Sequence, residues 1–168
     1  DLSAALLLPQ LARIEETRKS RERLCKRYDK LLQGLDSIEI IPEIAGTIHA
    51  CHLYTIRVDP YKRDRILTEL SLRGVGVGVN FRVVHLMAYY VERFGFEQGI
   101  FPLAERIGTS TISLPLYPAL RAEEQEYVVE TIKSILSEIT VYPFTSSMTL
   151  TFPDAFTIFL IVSPGAFF

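Results

Sequence analysis

Leu2, Ala5, Leu6, Leu11 and Ile14 return at helical spacing along the first positions of the chain, an apolar stripe that predicts a helix with Asp1 or Ser3 as its cap. Pro9 falls inside that stripe and is expected to kink the helix or to open a new first turn. From Gln10 to Leu35 the pattern stays helical. Leu24, Tyr28, Leu31, Leu32 and Leu35 share one face, while Arg18, Lys19, Arg21, Glu22 and Arg23 form a solvated one. Gly34 suits the stop. The period then shortens. Ile38–Ile41 reads as a brief strand ended by Pro42, and His49–Asp59, rich in aromatic and β-branched residues, reads as a long one. Pro60 opens a helix to about Arg73, buried through Ile66, Leu67, Leu70 and Leu72 and capped by Gly74. Beyond it a strand of alternating glycine and valine runs from Gly74 to Val79, followed by a helix from His85 to Phe94. A short helix over Phe101–Gly108, a strand over Thr111–Leu114, a turn over Pro115–Pro118 and a last helix from Ala119 or Leu120 to about Ile139 complete the pattern. Glu123, Glu124 and Glu126 at the start of that last helix suit the positive end of its dipole.

Helices alternating with strands over residues 1–139 indicate an α/β or α+β layered fold, with the long first helix packed across a small sheet. Residues 140–168 differ in kind. From Val141 to Phe168 the only charge is Asp154, and Ala155–Val162 is an apolar run too short to cross a bilayer. An extra strand, a disordered end and read-through of a damaged gene all remain open for this tail.

Composition narrows the classes. With 168 residues, 48% hydrophobic and 23% charged, the chain can bury a core of its own. A net charge of −2 gives no electrostatic case for nucleic acid. Cys25 and Cys51 lack metal-ligand and redox spacing and suit small buried hydrophobes in a reducing, cytoplasmic setting. His49 and His52 lie an odd number of positions apart, which on a strand places them on opposite faces, so no metal site is expected. The chain opens on Asp1 without a leader-like segment, as a piece cut from within a larger protein would.

The stretch with the most chemistry is Arg73–Tyr90. Three glycines alternate with valines, and Asn80, Phe81, Arg82 and His85 follow in quick succession. Glycine lets a ligand approach the backbone closely, and a cation, an amide and an imidazole at the end of such a strand suit an anionic or polyhydroxy ligand. Gly74 also suits a plain helix stop and His85 a satisfied core histidine. The spacing matches neither phosphate-binding glycine motif.

Four ordered stretches carry a family resemblance. Asp1-Leu2-Ser3-Ala4-Ala5-Leu6 with Gln10-Leu11 is similar to a "D-x-x-A-A-L…Q-L" helix. Ile48–Tyr54 with Arg57-Val58 resembles an "H-A-x-H-L-Y/F-x-x-R-V" strand. Gly74–Arg82 with His85 and Tyr89–Phe94 resembles "G-I-G-T-G-x-H-F-R-x-x-H…Y-Y-x-E-R-F", and Ser113–Pro118 the "S-L-P-L-Y/F-P" turn. These resemble the C-terminal third of DegT-type nucleotide-sugar aminotransferases, closest to the enzymes that aminate a UDP-4-keto-pentose toward 4-amino-4-deoxy-L-arabinose. The resemblance implies the small domain of a fold-type-I, pyridoxal-phosphate-dependent enzyme over residues 1–139, with residues 140–168 outside it. It implies transfer of an amino group, usually from glutamate, to a nucleotide-linked keto sugar in cell-surface polysaccharide synthesis, by a cytoplasmic homodimer without a membrane span. It places the Schiff-base lysine and most cofactor contacts in a large domain upstream of Asp1. Lys19, Lys26, Lys30, Lys62 and Lys133 stand in no matching context, so the chain alone is expected neither to hold the cofactor nor to catalyse. As substrate contacts it implies His85, with Arg82 beside it, Phe81 as an aromatic wall, and Asn80 where the family carries a histidine. Asparagine hydrogen-bonds but does not shuttle a proton there. His52 stays open between a structural and a functional part. The rival expectations are a non-catalytic sugar-nucleotide-binding or dimerisation module and a pseudogene remnant.

Overall fold

A computed structural model describes residues 2–141, 148–151 and 157–160. Two helices open the chain, α1 (Leu2–Ala12) and α2 (Ile14–Leu32). The break falls at Arg13 rather than at Pro9, which stays inside α1. Arg13 leaves helical backbone, its amide bonds only three residues back to the Gln10 carbonyl at 3.2 Å, and its guanidinium bonds the Gln10 side chain at 3.1 Å. The expected continuous helix from Gln10 to Leu35 is therefore two pieces. α2 buries Cys25, Tyr28 and Leu32 at helical spacing, whereas every residue of α1 is exposed.

The sheet has three antiparallel strands in the order β1 (Glu39–Ile40), β2 (Tyr54–Arg57) and β3 (Thr111–Leu114). β2 lies in the middle, pairing Ile56 with Ile40 on one side and with Ile112 on the other. Ile56 and Ile112 are fully buried and meet Tyr28, Leu32, Ile66, Leu70, Val129, Ile132 and Ile135 in one continuous core. Tyr28 stacks on Tyr54 with ring centroids 4.7 Å apart, and its hydroxyl donates to the Pro115 carbonyl at 3.0 Å. One side chain thus ties α2, the central strand and the turn after β3 together.

Two expected strands contract. The run from His49 to Asp59 pairs only at Tyr54–Arg57. Upstream, Cys51 takes a positive φ of 48° and its amide donates to His49 Nδ1 at 3.1 Å, so the backbone group that a ladder needs is used locally. The glycine–valine stretch makes a single bridge, in which Gly78 and Ser113 exchange both amide hydrogen bonds at 3.2 and 2.8 Å. Glycine lowers the gain from extended pairing, and no longer ladder forms.

The remaining helices follow their local signals. α3 (Pro60–Leu72) starts on Asp59, whose carboxylate accepts the Tyr61 amide at 2.9 Å, and stops at Gly74 with φ 77°. A single 3₁₀ turn (Val84–Leu86) and α4 (Ala88–Phe94) replace one helix over 85–94, with Met87 extended between them. α5 (Pro102–Ser110) leads straight into β3. In α6 (Ala122–Val141) Glu124 accepts the Arg121 amide at 2.8 Å, half of a capping box. Beyond it, β4 (Met148–Thr151) pairs antiparallel with β5 (Thr157–Leu160), the latter inside the apolar run 155–162. The other positions of the 140–168 tail lie outside the described residues.

Candidate functional site

The segment from Gly74 to Arg82 runs from the end of α3 past the edge of β3, anchored midway by the Gly78–Ser113 bridge. Two open cavities form along it. One, of about 620 Å³, is walled by Gly74, Val75 and Gly76, by Pro115 and Tyr117 of the turn after β3, and by Tyr127 of α6. The other, of about 500 Å³, lies between α3 and Val77–Val79, with Arg82 in its wall. Tyr127 donates to the Arg73 carbonyl at 2.8 Å, and Tyr117 faces Glu124 at 3.4 Å. The first cavity sets aromatic edges beside the carboxylates of Glu123 and Glu124 and can admit a flat or polyhydroxy group, while the second offers the Arg82 guanidinium to an anion.

The expected contact residues separate into two groups. Asn80, Phe81 and Arg82 stay at the surface of this segment. Phe81 is 71% exposed, and the Asn80 amide oxygen lies 3.5 Å from where a β-carbon on Gly78 would stand. The peptide between Asn80 and Phe81 is cis. His85 turns the other way. It is 8% exposed, its Nε2 lies 3.1 Å from Glu105 Oε1, and it packs edge-on against Phe101 with centroids 4.9 Å apart and against Phe96 at 6.3 Å.

Glu105 is the residue that sequence reasoning missed. Besides facing His85, its carboxylate accepts the Gly99 amide at 2.8 Å and the Phe101 amide at 3.3 Å. Burial pushes this carboxyl up, but the Gly99 amide, His85 and the Phe101 amide together outweigh it and hold it below its ordinary range. The one available signal was an acidic residue in the first turn after Pro102. Position alone does not join it to a histidine twenty positions earlier.

The cysteines are both buried and free. Burial, with the neighbouring Cys51 sulfur next in weight, pushes the Cys25 thiol up to about 12.

A small antiparallel sheet covered by helices, with a glycine-rich segment along its open edge, defines the class first: the fold is that of fold-type-I aminotransferases. The sequence makes this more particular. Residues 1–133 match the DegT/DnrJ/EryC1/StrS aminotransferase family, and the chain belongs to it. It is 35% identical over 142 residues to the spore coat polysaccharide biosynthesis protein SpsC of Bacillus subtilis, which covers 81% of this chain and 36% of that protein. Among solved structures it is similar to the aminotransferase TlmJ of Streptoalloteichus hindustanus, at 30% identity and a TM-score of 0.70 over 77% of this chain and 34% of that one. It is also similar to the PLP-form of Spr1654 of Streptococcus pneumoniae, at 29% identity and a TM-score of 0.72 over 79% and 34%. The chain spans just over a third of the length of the curated relatives it matches, 37% and 36% of the first two.

The family is pyridoxal-phosphate-dependent, and that cofactor is held through a lysine amine. The cavities along Gly74–Arg82 do not fit it as a covalently held group, because no lysine lines either one. Lys26 pairs with Glu22 at 2.6 Å and Lys133 with Glu130 at 2.7 Å. Lys30 lines a separate depression with Arg23 and Arg27, Lys62 lines one beside Asp59, and Lys19 is exposed on α2. Among the described residues no helix is long and apolar enough to cross a membrane.

Proposed function

We propose that this chain is the sugar-facing small domain, over residues 1–139, of a cytoplasmic transaminase that moves an amino group from an amino acid, glutamate, to a nucleotide-linked keto sugar for cell-surface polysaccharide. The observation that carries this reading is a glycine-rich segment with Arg82 in the wall of one cavity and aromatic edges in the wall of the other, neither lined by a lysine. In this reading Arg82 meets the diphosphate, a planar guanidinium being suited to paired phosphate oxygens. Asn80 and Phe81 meet the sugar and the base. His85, expected from the resemblance as a contact, acts instead through Glu105 as the residue that fixes the loop around them. A UDP-linked 4-keto-pentose is the substrate proposed from the residues of Gly74–Phe94.

The reactive lysine is supplied by a segment outside these 168 residues. The support is that the match covers only 36% of the length of SpsC, and that Leu2, Leu6, Leu7, Leu8 and Leu11 of α1 are all exposed, a surface for such a segment or for the second copy of a homodimer. The same lysine-free wall favours one alternative, a module that binds the nucleotide sugar without catalysis.

Calorimetric titration of UDP-sugars onto the chain and onto Arg82→Ala tests the binding face. Measurable binding is expected that weakens at least about tenfold in the variant, as loss of one charge-assisted contact requires. Absence of binding in both, or equal binding, overturns the assignment of this wall.

A further inference from the structure

The loop between β1 and β2 brings together three side chains that sequence spacing keeps apart. One ligand atom each from Glu43, His49 and Cys51 lie within 4.8 Å of one another. His49 Nδ1 stands 3.4 Å from Cys51 Sγ. In a tetrahedral zinc site, with bonds of about 2.3 Å to sulfur and about 2.0–2.1 Å to nitrogen, the nitrogen–sulfur edge is about 3.6 Å. The pair therefore already has the separation that a shared ion imposes. His49 Nδ1 accepts the Cys51 amide at 3.1 Å, so its single lone pair is aimed at Cys51 and reaches an ion only when that bond opens. Cys51 reaches the position through a backbone φ of 48° and is fully buried. The Glu43 carboxylate makes no hydrogen bond or ion pair among the described residues. A cavity of about 420 Å³ is lined by Glu43, Thr47, Ile48 and His49 and reaches two of the three side chains.

His49 and His52 do not share a strand, so their alternation has no bearing on a metal. The strand begins only at Tyr54, and the neighbours of His49 are Glu43 and Cys51.

We propose that Glu43, His49 and Cys51 form a binding site for a divalent cation of the zinc class. A thiolate and an imidazole select zinc over magnesium or calcium, and a carboxylate completes a three-ligand set with water in the fourth place. Binding forms a metal–sulfur bond, and the Cys51 thiol proton passes to solvent. The ion closes the loop from its start at Glu43 to its end at Cys51. This inference rests on the loop alone and stands or falls independently of the transaminase reading.

The test is a cobalt(II) titration of the full chain, followed at the thiolate-to-cobalt charge-transfer absorption in the near ultraviolet, then displacement by zinc. The expected result is one cobalt per chain, released by zinc. Cys51→Ser abolishes the band, and His49→Gln and Glu43→Gln each weaken binding more than about tenfold. Cys25→Ser keeps the band. His49 and Glu43 are exposed, so those two variants decide the matter even if Cys51→Ser fails to fold. No saturable band means a thiol–imidazole hydrogen bond only, and overturns the site. So does a band that survives Cys51→Ser, or unchanged affinity in both exposed variants.

Discussion

Glu105 joins three pieces of backbone through one carboxylate: the 3₁₀ turn through His85, the loop through Gly99 and the start of α5 through Phe101. Its depressed pKa has a consequence for stability. A carboxyl held in the folded state below its ordinary value of 4.5 contributes stability that is present above pH 4.5 and is lost as pH falls through the lower, folded value. Native-state hydrogen exchange is therefore expected to show the Gly99 and Phe101 amides well protected near neutral pH and progressively opened on acidification. Glu105→Gln is expected to exchange fast at both, with no such pH dependence. A wild-type pH profile that matches the variant's would show that the carboxylate does not hold this loop.

At the level of elements, α5 fixes the same segment from below. A β-carbon on Gly108 would stand 2.7 Å from Val83 Cγ2 and 2.9 Å from the Val83 amide nitrogen. Backbone on the far side cannot swing away as a flexible side chain would. Gly108→Ala is thus expected to cost about 1–3 kcal/mol in urea unfolding, as overpacking does, and to weaken nucleotide-sugar binding by displacing Arg82. Unchanged stability would mean that α5 and the 82–83 segment are not in close contact. The same elements show what a sequence can say. α3 is marked at both ends, by Asp59-Pro60 and by Gly74, and β3 by a short run of Thr, Ile, Ser and Leu, and both form where expected. Local chemistry of that kind is written in neighbouring residues. The shortened β2 is not, because residues 49–53 have strand-like composition and depart from it through one positive φ at Cys51 and one amide turned to His49. Arg82 and its glycines could be picked out because they are contiguous. Glu105 and the Glu43–His49–Cys51 cluster could not, since each depends on loops that return to a point only in three dimensions.

The whole molecule has a complete core and an incomplete surface. Tyr28, Ile56, Ile112, Ile132 and Ile135 are closed in, yet the five leucines of α1 face outward along its length. The family assignment covers residues 1–133, while the chain spans 36% of SpsC and 34% of TlmJ. The proposed function joins these facts by placing the reactive amine on a segment outside these 168 residues. Borohydride reduction of the chain in the presence of pyridoxal phosphate, read by intact mass and peptide mapping, shows whether any lysine here serves as that amine. Only scattered, substoichiometric modification over Lys19, Lys26, Lys30, Lys62 and Lys133 is expected. One adduct per chain, confined to a single one of these lysines and blocked by a UDP-sugar, would contradict it.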